Sequence, residues 1–288
     1  LNATIKEVEE RITTVATKRK ILEELNSYQI GASDLPHPLF QLLPTNESRL
    51  LADCKLEPVS RWVVHSLLEV YETLGADAMA LLYRYVSRET QTGSFRDCLF
   101  ERLVLANFNR ITTNCDLQVR GLTNSNEVTW TYRGHIPLFT FLQDEAAADK
   151  INDAVATGKS LHLVPSVSNF PAVDSIILNP DGLTCIQITI SDDHPIVVPG
   201  LQRVQKWLNR STPAKLLRPE KTRPWRFIFI VPLNIAHEFK LQAFKGKGKD
   251  AWAQKVEQYV FGLKEETIFK IISDPSKQRA INWGTGTC

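Results

Sequence analysis

The chain has 288 residues, 43% of them hydrophobic and 23% charged. That composition is ordinary for a globular protein able to bury a real core, in one large domain or two modest ones. The formal net charge of +2 excludes any argument for nucleic acid from bulk electrostatics, so a basic surface has to be local. No apolar run reaches the roughly 20 residues that span a bilayer, so no membrane partner is expected. Leu1 opens the chain without a charged and apolar leader, which raises the expectation of a piece of a longer protein. Cys54, Cys98, Cys115, Cys185 and Cys288 are scattered, with no CxxC pair; they read as free, mostly buried thiols rather than a zinc site or a disulfide framework.

In chain order, Ile5, Val8, Ile12, Val15 and Leu22 recur at three-four spacing and predict a helix over 1–27. The stripe fits packing within the chain or self-association through a coiled-coil seam. Residues 31–46, with Pro36, Pro38 and Pro44, read as a loop. Pro58 suits a first helical turn, followed by Val59, Trp62, Val63, Ser66, Leu67, Val70, Tyr71 and Leu74 on one face and a stop at Gly75. A further amphipathic helix covers 76–88, so residues 1–90 are expected to form a helical region. Beyond Gly93 the reading changes to a helix over 95–108 carrying Glu101, strands over 128–132 and 161–164, and an acidic helix over 144–155 between them. Two strands over 172–178 and 183–190 flank Asn179-Pro180-Asp181-Gly182, whose turn chemistry predicts a hairpin. A helix over 200–209, a strand over 227–231 and a helix over 250–263 complete an α/β expectation: a mixed sheet flanked by helices in a domain over 91–265, with a tail over 266–288.

The chemistry concentrates on the hairpin. Asp174 belongs to its first arm, while Cys185, Gln187 and Thr189 alternate onto one face of its second, opposite Ile186, Ile188 and Ile190. A carboxyl and an amide converging at a sheet edge are the kind of oxygen donors a Mg²⁺ or Mn²⁺ ion takes while keeping several waters. Such an ion would polarise a phosphodiester and activate the attacking water. Cys185, with no base near it in the sequence, reads as a small core residue. Asp174 and Gln187 also admit a purely structural reading, a hydrogen bond across the strands.

These strands resemble the PD-(D/E)xK nuclease core, with Asp174 in the aspartate position and Gln187-Ile188-Thr189 where that family has Glu-x-Lys. Glu101 resembles the helical glutamate that many such nucleases place beside the metal. More narrowly, Phe170-Pro171-Ala172-Val173-Asp174-Ser175, Gln187-Ile188-Thr189-Ile190, His194-Pro195-Ile196 and Gly200-Leu201 resemble the Crinkler and retrotransposon-hot-spot type proteins. The segment from Trp252 through Val260 resembles their C-terminal helix. The likeness covers roughly residues 90–265. It implies a restriction-endonuclease-like fold, metal-dependent phosphodiester hydrolysis with DNA as the first expectation, and Asp174, Gln187 and Glu101 around the metal. It also implies a secreted effector acting in a host nucleus or cytoplasm, in which residues 1–90 are the helical tail of a preceding nucleotide-hydrolysing module; no GxxxxGK[ST] occurs in this chain.

The departures from the pattern have chemical weight, because glutamine carries no charge and threonine cannot replace the lysine. Lys206, one turn beyond Gln202 on the following helix, and His194 are the candidates to supply the missing cation or proton carrier. Lys245, Lys247 and Lys249, separated by glycines, and the run with Arg218, Lys221, Arg223 and Arg226 are the local basic clusters for a nucleic-acid backbone. The alternative reading is a nuclease fold without catalysis that docks on DNA or on a protein.

Overall fold

The computed structural model describes residues 40–44, 54–58, 63, 66–67, 69–70, 82–83, 93–108, 111–166, 170–180, 182–264 and 267. The chain divides into two compact units, one over Leu1–Leu103 with Phe269–Pro275 and one over Val104–Ile268 with Ser276–Cys288. In the first, strand β1 (Phe40–Pro44) pairs antiparallel with β2 (Cys54–Pro58). This corrects the loop expected over 31–46, and it places Pro58 at the end of a strand instead of in a first helical turn. An edge position tolerates proline because the missing N–H is not needed by the ladder there. Val63, Ser66, Leu67, Glu69, Val70, Leu82 and Tyr83 are helical. Val63 and Leu67, one turn apart, are both buried, as an amphipathic face requires. The stripe over 1–27, the rest of the helices predicted between 58 and 88, and the tail beyond 267 lie outside the described residues.

Helix α1 (Gly93–Phe108) leads into the second unit. Its strands are β3 (Cys115–Gly121), β4 (Glu127–Tyr132), β5 (Leu138–Phe141), β6 (Leu161–Pro165), β7 (Ser175–Asn179), β8 (Gly182–Ile188), β10 (Trp225–Pro232) and β12 (Val256–Leu263). They form one eight-stranded mixed sheet in the order β4-β3-β12-β10-β8-β7-β6-β5. Helix α2 (Asp144–Ala156) precedes β6; β6, β7 and β8 run antiparallel in succession; α3 (Val198–Trp207) then crosses over to β10, parallel to β8. Two-residue strands β9 (Ile196–Val197) and β11 (Phe244–Lys245) pair in parallel away from the main sheet. The short helices are α4 (Thr212–Lys215), α5 (Leu233–Ala236) and α6 (Lys249–Ala253). Among the described residues no helix is long and apolar enough to cross a membrane.

One face of the sheet supplies Ile176, Leu178, Cys185, Phe227 and Phe229 to the main core, and α2 and α3 cover it with Ile151, Leu201, Val204 and Trp207. Burying these side chains is the main stabilising term of the unit, at about 1.5–3 kcal/mol for each large one. Arg203 on α3 ties that helix to the start of α2 and to Phe170. Its guanidinium makes a paired contact with both oxygens of Asp144 at 2.8 Å and lies 4.7 Å from the centre of the Phe170 ring. The opposite face carries a second cluster, in which Phe108, Trp130 and Tyr132 surround His162.

The hairpin arrives as expected, with Asn179 opposite Gly182, and Cys185 is fully buried, its thiol pushed up by that burial. The helix expected over 250–263, including the segment from Trp252 to Val260, is corrected. Only Lys249–Ala253 is helical, and the rest is β12, paired along its whole length with β10. Val256, Val260 and Leu263 satisfy a helical spacing, and the alternation of buried and open positions that would oppose it breaks at Phe261, which is buried beside Val260. The β-branched and aromatic residues Val256, Tyr259, Val260 and Phe261 favour the strand once β10 is available to pair. Strands β3 and β5 were not predicted at all, the first because Asp116, Gln118 and Arg120 alternate with its buried residues in a short polar-looking run.

Candidate functional site

The hairpin strands are shorter than predicted at the end that matters. Strand β7 begins at Ser175 and β8 ends at Ile188, so Asp174 stands just before one strand and Thr189 just after the other. The Asp174 N–H still donates to the Ile186 carbonyl at 2.9 Å. The next donor along β8, the Ile188 N–H, goes instead to Asp174 Oδ2 at 2.6 Å. A side chain thus replaces a backbone carbonyl and closes the ladder. Gln187 Nε2 donates to the same oxygen at 2.6 Å. The two residues share the face covered by α3, and Gln187 is only 6% exposed.

What keeps Asp174 there is the turn before it. Ala172 has φ of 78°, a left-handed conformation that costs an alanine roughly 1–2 kcal/mol. The turn lies directly against the start of α3, where the Gly200 backbone comes so close that a Cβ on it would meet the Pro171 carbonyl oxygen at 1.9 Å. Close backbone approach is a position only glycine fills. The segment Phe170–Ser175 and the pair Gly200-Leu201, remote in sequence, are therefore neighbours.

The other predicted residues fall in several places. Thr189 accepts the Ser191 N–H at 3.0 Å and forms the turn that follows β8. The His194 backbone N–H donates to Gln242 Oε1 at 2.6 Å. Gln242, which sequence reasoning missed, is buried and exchanges hydrogen bonds with buried Gln258 at 2.9 Å in each direction. Two isolated glutamines leave no signal in a sequence. Lys206 is exposed, and the helical spacing sets it and Gln202 opposite the buried positions Leu201, Val204 and Trp207; it is not brought to Asp174. Glu101, half-buried on α1, belongs to the first unit. Arg223 precedes β10 and faces Glu220 at 3.9 Å.

The lysines do gather near α3. Lys245 pairs with Val197 across β11 and β9, and the Ile196 N–H donates to the Ala243 carbonyl at 2.9 Å. Gly246, with φ of 115°, lies against Val198 and Pro199; Gly248, with φ of 83°, caps α6, whose Trp252 is buried beside Trp225. This glycine-separated segment is anchored on both sides, with Lys245, Lys247 and Lys249 all exposed.

The fit to a divalent ion is poor in this arrangement. A carboxylate only accepts, so the amide nitrogen of Gln187 is the atom that faces Asp174, and the amide oxygen points elsewhere. Oδ2 already holds two donors, and Thr189 Oγ1 holds a third group. Among the described residues there is no group of three or more His, Cys, Asp or Glu side chains that could hold a metal. The geometry is that of a satisfied hydrogen-bond node. Asp174→Ala is accordingly expected to destabilise the unit by about 2 kcal/mol, because a nearly buried amide and a backbone N–H lose their acceptor. Urea unfolding measures this, and a loss within experimental error would remove the node from the stability account.

No family model matches this sequence, and no curated protein and no solved structure matches it either. What the fold defines is a mixed α/β protein with a large mixed sheet flanked by helices.

Proposed function

We propose that this chain is a restriction-endonuclease-like module that binds the nucleic-acid backbone, DNA first, with its former catalytic positions converted to a structural node. The order α2-β6-β7-β8-α3-β10, with β6 to β8 antiparallel and β10 parallel to β8, supports the restriction-endonuclease-like reading. The resemblance of Asp174 and Gln187-Ile188-Thr189 to the family's motif falls at the two strand ends where such folds carry their chemistry.

The observation that carries binding is a chain of direct contacts. The exposed lysine segment at 245–249 is seated on Val198 and Pro199, the next residue Gly200 is seated on Pro171, and Pro171 leads in three residues to Asp174. Three cations on an anchored segment are thereby presented on the approach to the hairpin end. Phosphates bound by lysines release counterions, so affinity falls steeply with salt.

A second reading, hydrolysis assisted by Mg²⁺ or Mn²⁺, rests on the resemblance of Asp174 and Gln187-Ile188-Thr189 to the nuclease motif, against the hydrogen bonding of that pair. The test covers both. For the purified chain and a DNA duplex, log K plotted against log salt is expected to lose about 2–3 units of slope when Lys245, Lys247 and Lys249 are changed to glutamine. An unchanged slope would remove the lysine interface. Plasmid incubated with Mg²⁺ or Mn²⁺ is expected to remain uncut; nicking that disappears in Asp174→Ala would replace the binding reading with the nuclease one. Secretion and action within a host cell rest on the resemblance alone and are tested by following a tagged chain.

A further inference from the structure

The second basic run, around Arg223 and Arg226, has no part in that interface. It borders a cavity of about 200 Å³ at the opposite end of β8, where β8 and β10 begin. The lining includes Asn179, Thr184, Arg223, Arg226 and Glu257, over an apolar floor with Leu183. Thr184, Arg226 and Glu257 stand opposite one another across β8, β10 and β12, so they share one face of the sheet in a single row.

The hydrogen-bonding capacity of this row is one-sided. Thr184 is only 3% exposed, and among the described residues its hydroxyl has no hydrogen-bond partner. Arg226 likewise takes part in no ion pair or hydrogen bond there. Among the described residues the Arg223 side chain has its 3.9 Å contact with Glu220, both side chains being about half exposed, a pairing worth little in water. Asn179 Oδ1 already accepts from Ser160 Oγ at 2.8 Å, which leaves its amide nitrogen to donate. Glu257 is the lining carboxylate, and it accepts from Tyr259 OH at 2.7 Å. What remains is a set of donors: two guanidiniums, an amide and a hydroxyl. A cavity of this size with unfilled donors selects a small oxyanion, and the fork of an arginine matches phosphate geometry.

We propose that this cavity is a binding site for a phosphoryl group, carried by a small solute or by the 5′ end of a nucleic-acid strand. The site does not depend on the backbone-binding reading, since it uses none of the lysines or the hairpin end. Trp225 also lines it, but its indole N–H is held by the Leu217 carbonyl at 2.8 Å and the ring is buried, so base stacking is not part of the recognition.

The test uses the full chain with Lys245, Lys247 and Lys249 changed to glutamine, which removes the other phosphate surface. Calorimetric titration with orthophosphate, and separately with a short oligonucleotide bearing a 5′-phosphate or a 5′-hydroxyl, reads the site. Saturable phosphate binding that weakens about tenfold in Arg226→Gln, a substitution at an exposed side chain, is expected from loss of a charge-assisted contact. Thr184→Ser, which keeps the hydroxyl, is expected to bind nearly as tightly as the parent. A preference for the 5′-phosphate oligonucleotide over its hydroxyl twin identifies the strand end as the source, and equal binding of the two identifies the free solute. Absence of saturable binding, or equal affinity in Arg226→Gln, overturns the proposal.

Discussion

Gly200→Ala is expected to lower the unfolding free energy of the second unit by about 3 kcal/mol, the cost of forcing an extra carbon into a closed contact. Two effects oppose each other at this position. Alanine is the better helix former by about 1 kcal/mol, and Gly200 lies in the first turn of α3. Against that gain, the new Cβ would sit 1.9 Å from the Pro171 oxygen, 2.6 Å from its carbonyl carbon and 2.9 Å from Ala172 Cβ. Two of those are backbone atoms with no rotamer to adopt, in a turn already at positive φ. Steric overlap therefore wins. The displacement passes along Pro171-Ala172-Val173 to Asp174, so the node with Gln187 and Ile188 loosens with it. Urea titration measures the loss, and retention of the parent midpoint would exclude a closed contact between α3 and the turn at Pro171.

The second large effect is a pH dependence that belongs to His162. The ring is 0% exposed, Nδ1 lies 3.4 Å from Tyr132 OH, and Nε2 has no partner among the described residues. Burial pushes its pKa down from 6.5 to about 4, because the charged imidazolium is disfavoured away from water. The unfolded chain takes up this proton once the pH falls below 6.5, whereas the folded chain resists until about 4. The associated stability is therefore fully present above pH 6.5 and is lost as pH falls through that interval, to a total of about 3 kcal/mol. Other groups also titrate in acid, so the informative quantity is the difference from His162→Phe. Phenylalanine keeps the edge-on packing with Phe108, and Tyr132 OH keeps the Phe108 carbonyl at 3.3 Å. The melting temperature of the variant is expected to change less between pH 7 and pH 4. Parallel curves for the two proteins would exclude His162 as the source.

Local chemistry made parts of this protein legible. The turn residues Asn179-Pro180-Asp181-Gly182 specify a hairpin wherever they occur between two apolar runs, and the acidic start of α2 and the apolar face of α3 carry their own periodicity. Cys185 was readable as core because it stands next to Ile186 in an apolar run with no base near it in the sequence. The candidate site was legible only as a pair: Asp174 and Gln187 had the correct parity to share a face, and they meet. Their relation was not legible. Whether an amide presents its oxygen to a cation or its nitrogen to a carboxylate depends on where the strand stops, and the ladder stops at Ile188 because a side chain takes its N–H.

The residues around that pair illustrate the limit further. Thr189 has the parity of Gln187, but the chain leaves the sheet at that point and its hydroxyl closes a turn. Lys206 shares a helix face with Gln202, but the packing of α3 turns that face away from the sheet. Residues 256–263 carry both a helical spacing and strand-forming side chains, and the pairing with β10 resolves the conflict in favour of the strand.

The amino-acid order alone determined the class of layer, the hairpin and the parity of its polar residues, since each follows from interactions within a few residues. Tertiary structure decided the rest: the central position of β12, the left-handed turn at Ala172 held against Gly200, the seat of the lysines on α3 and the row of unfilled donors at Thr184 and Arg226. The physical reason is the same in every case. Those features are set by contacts between segments tens of residues apart, and no local propensity encodes which distant backbone will arrive to supply a partner or to exclude a side chain.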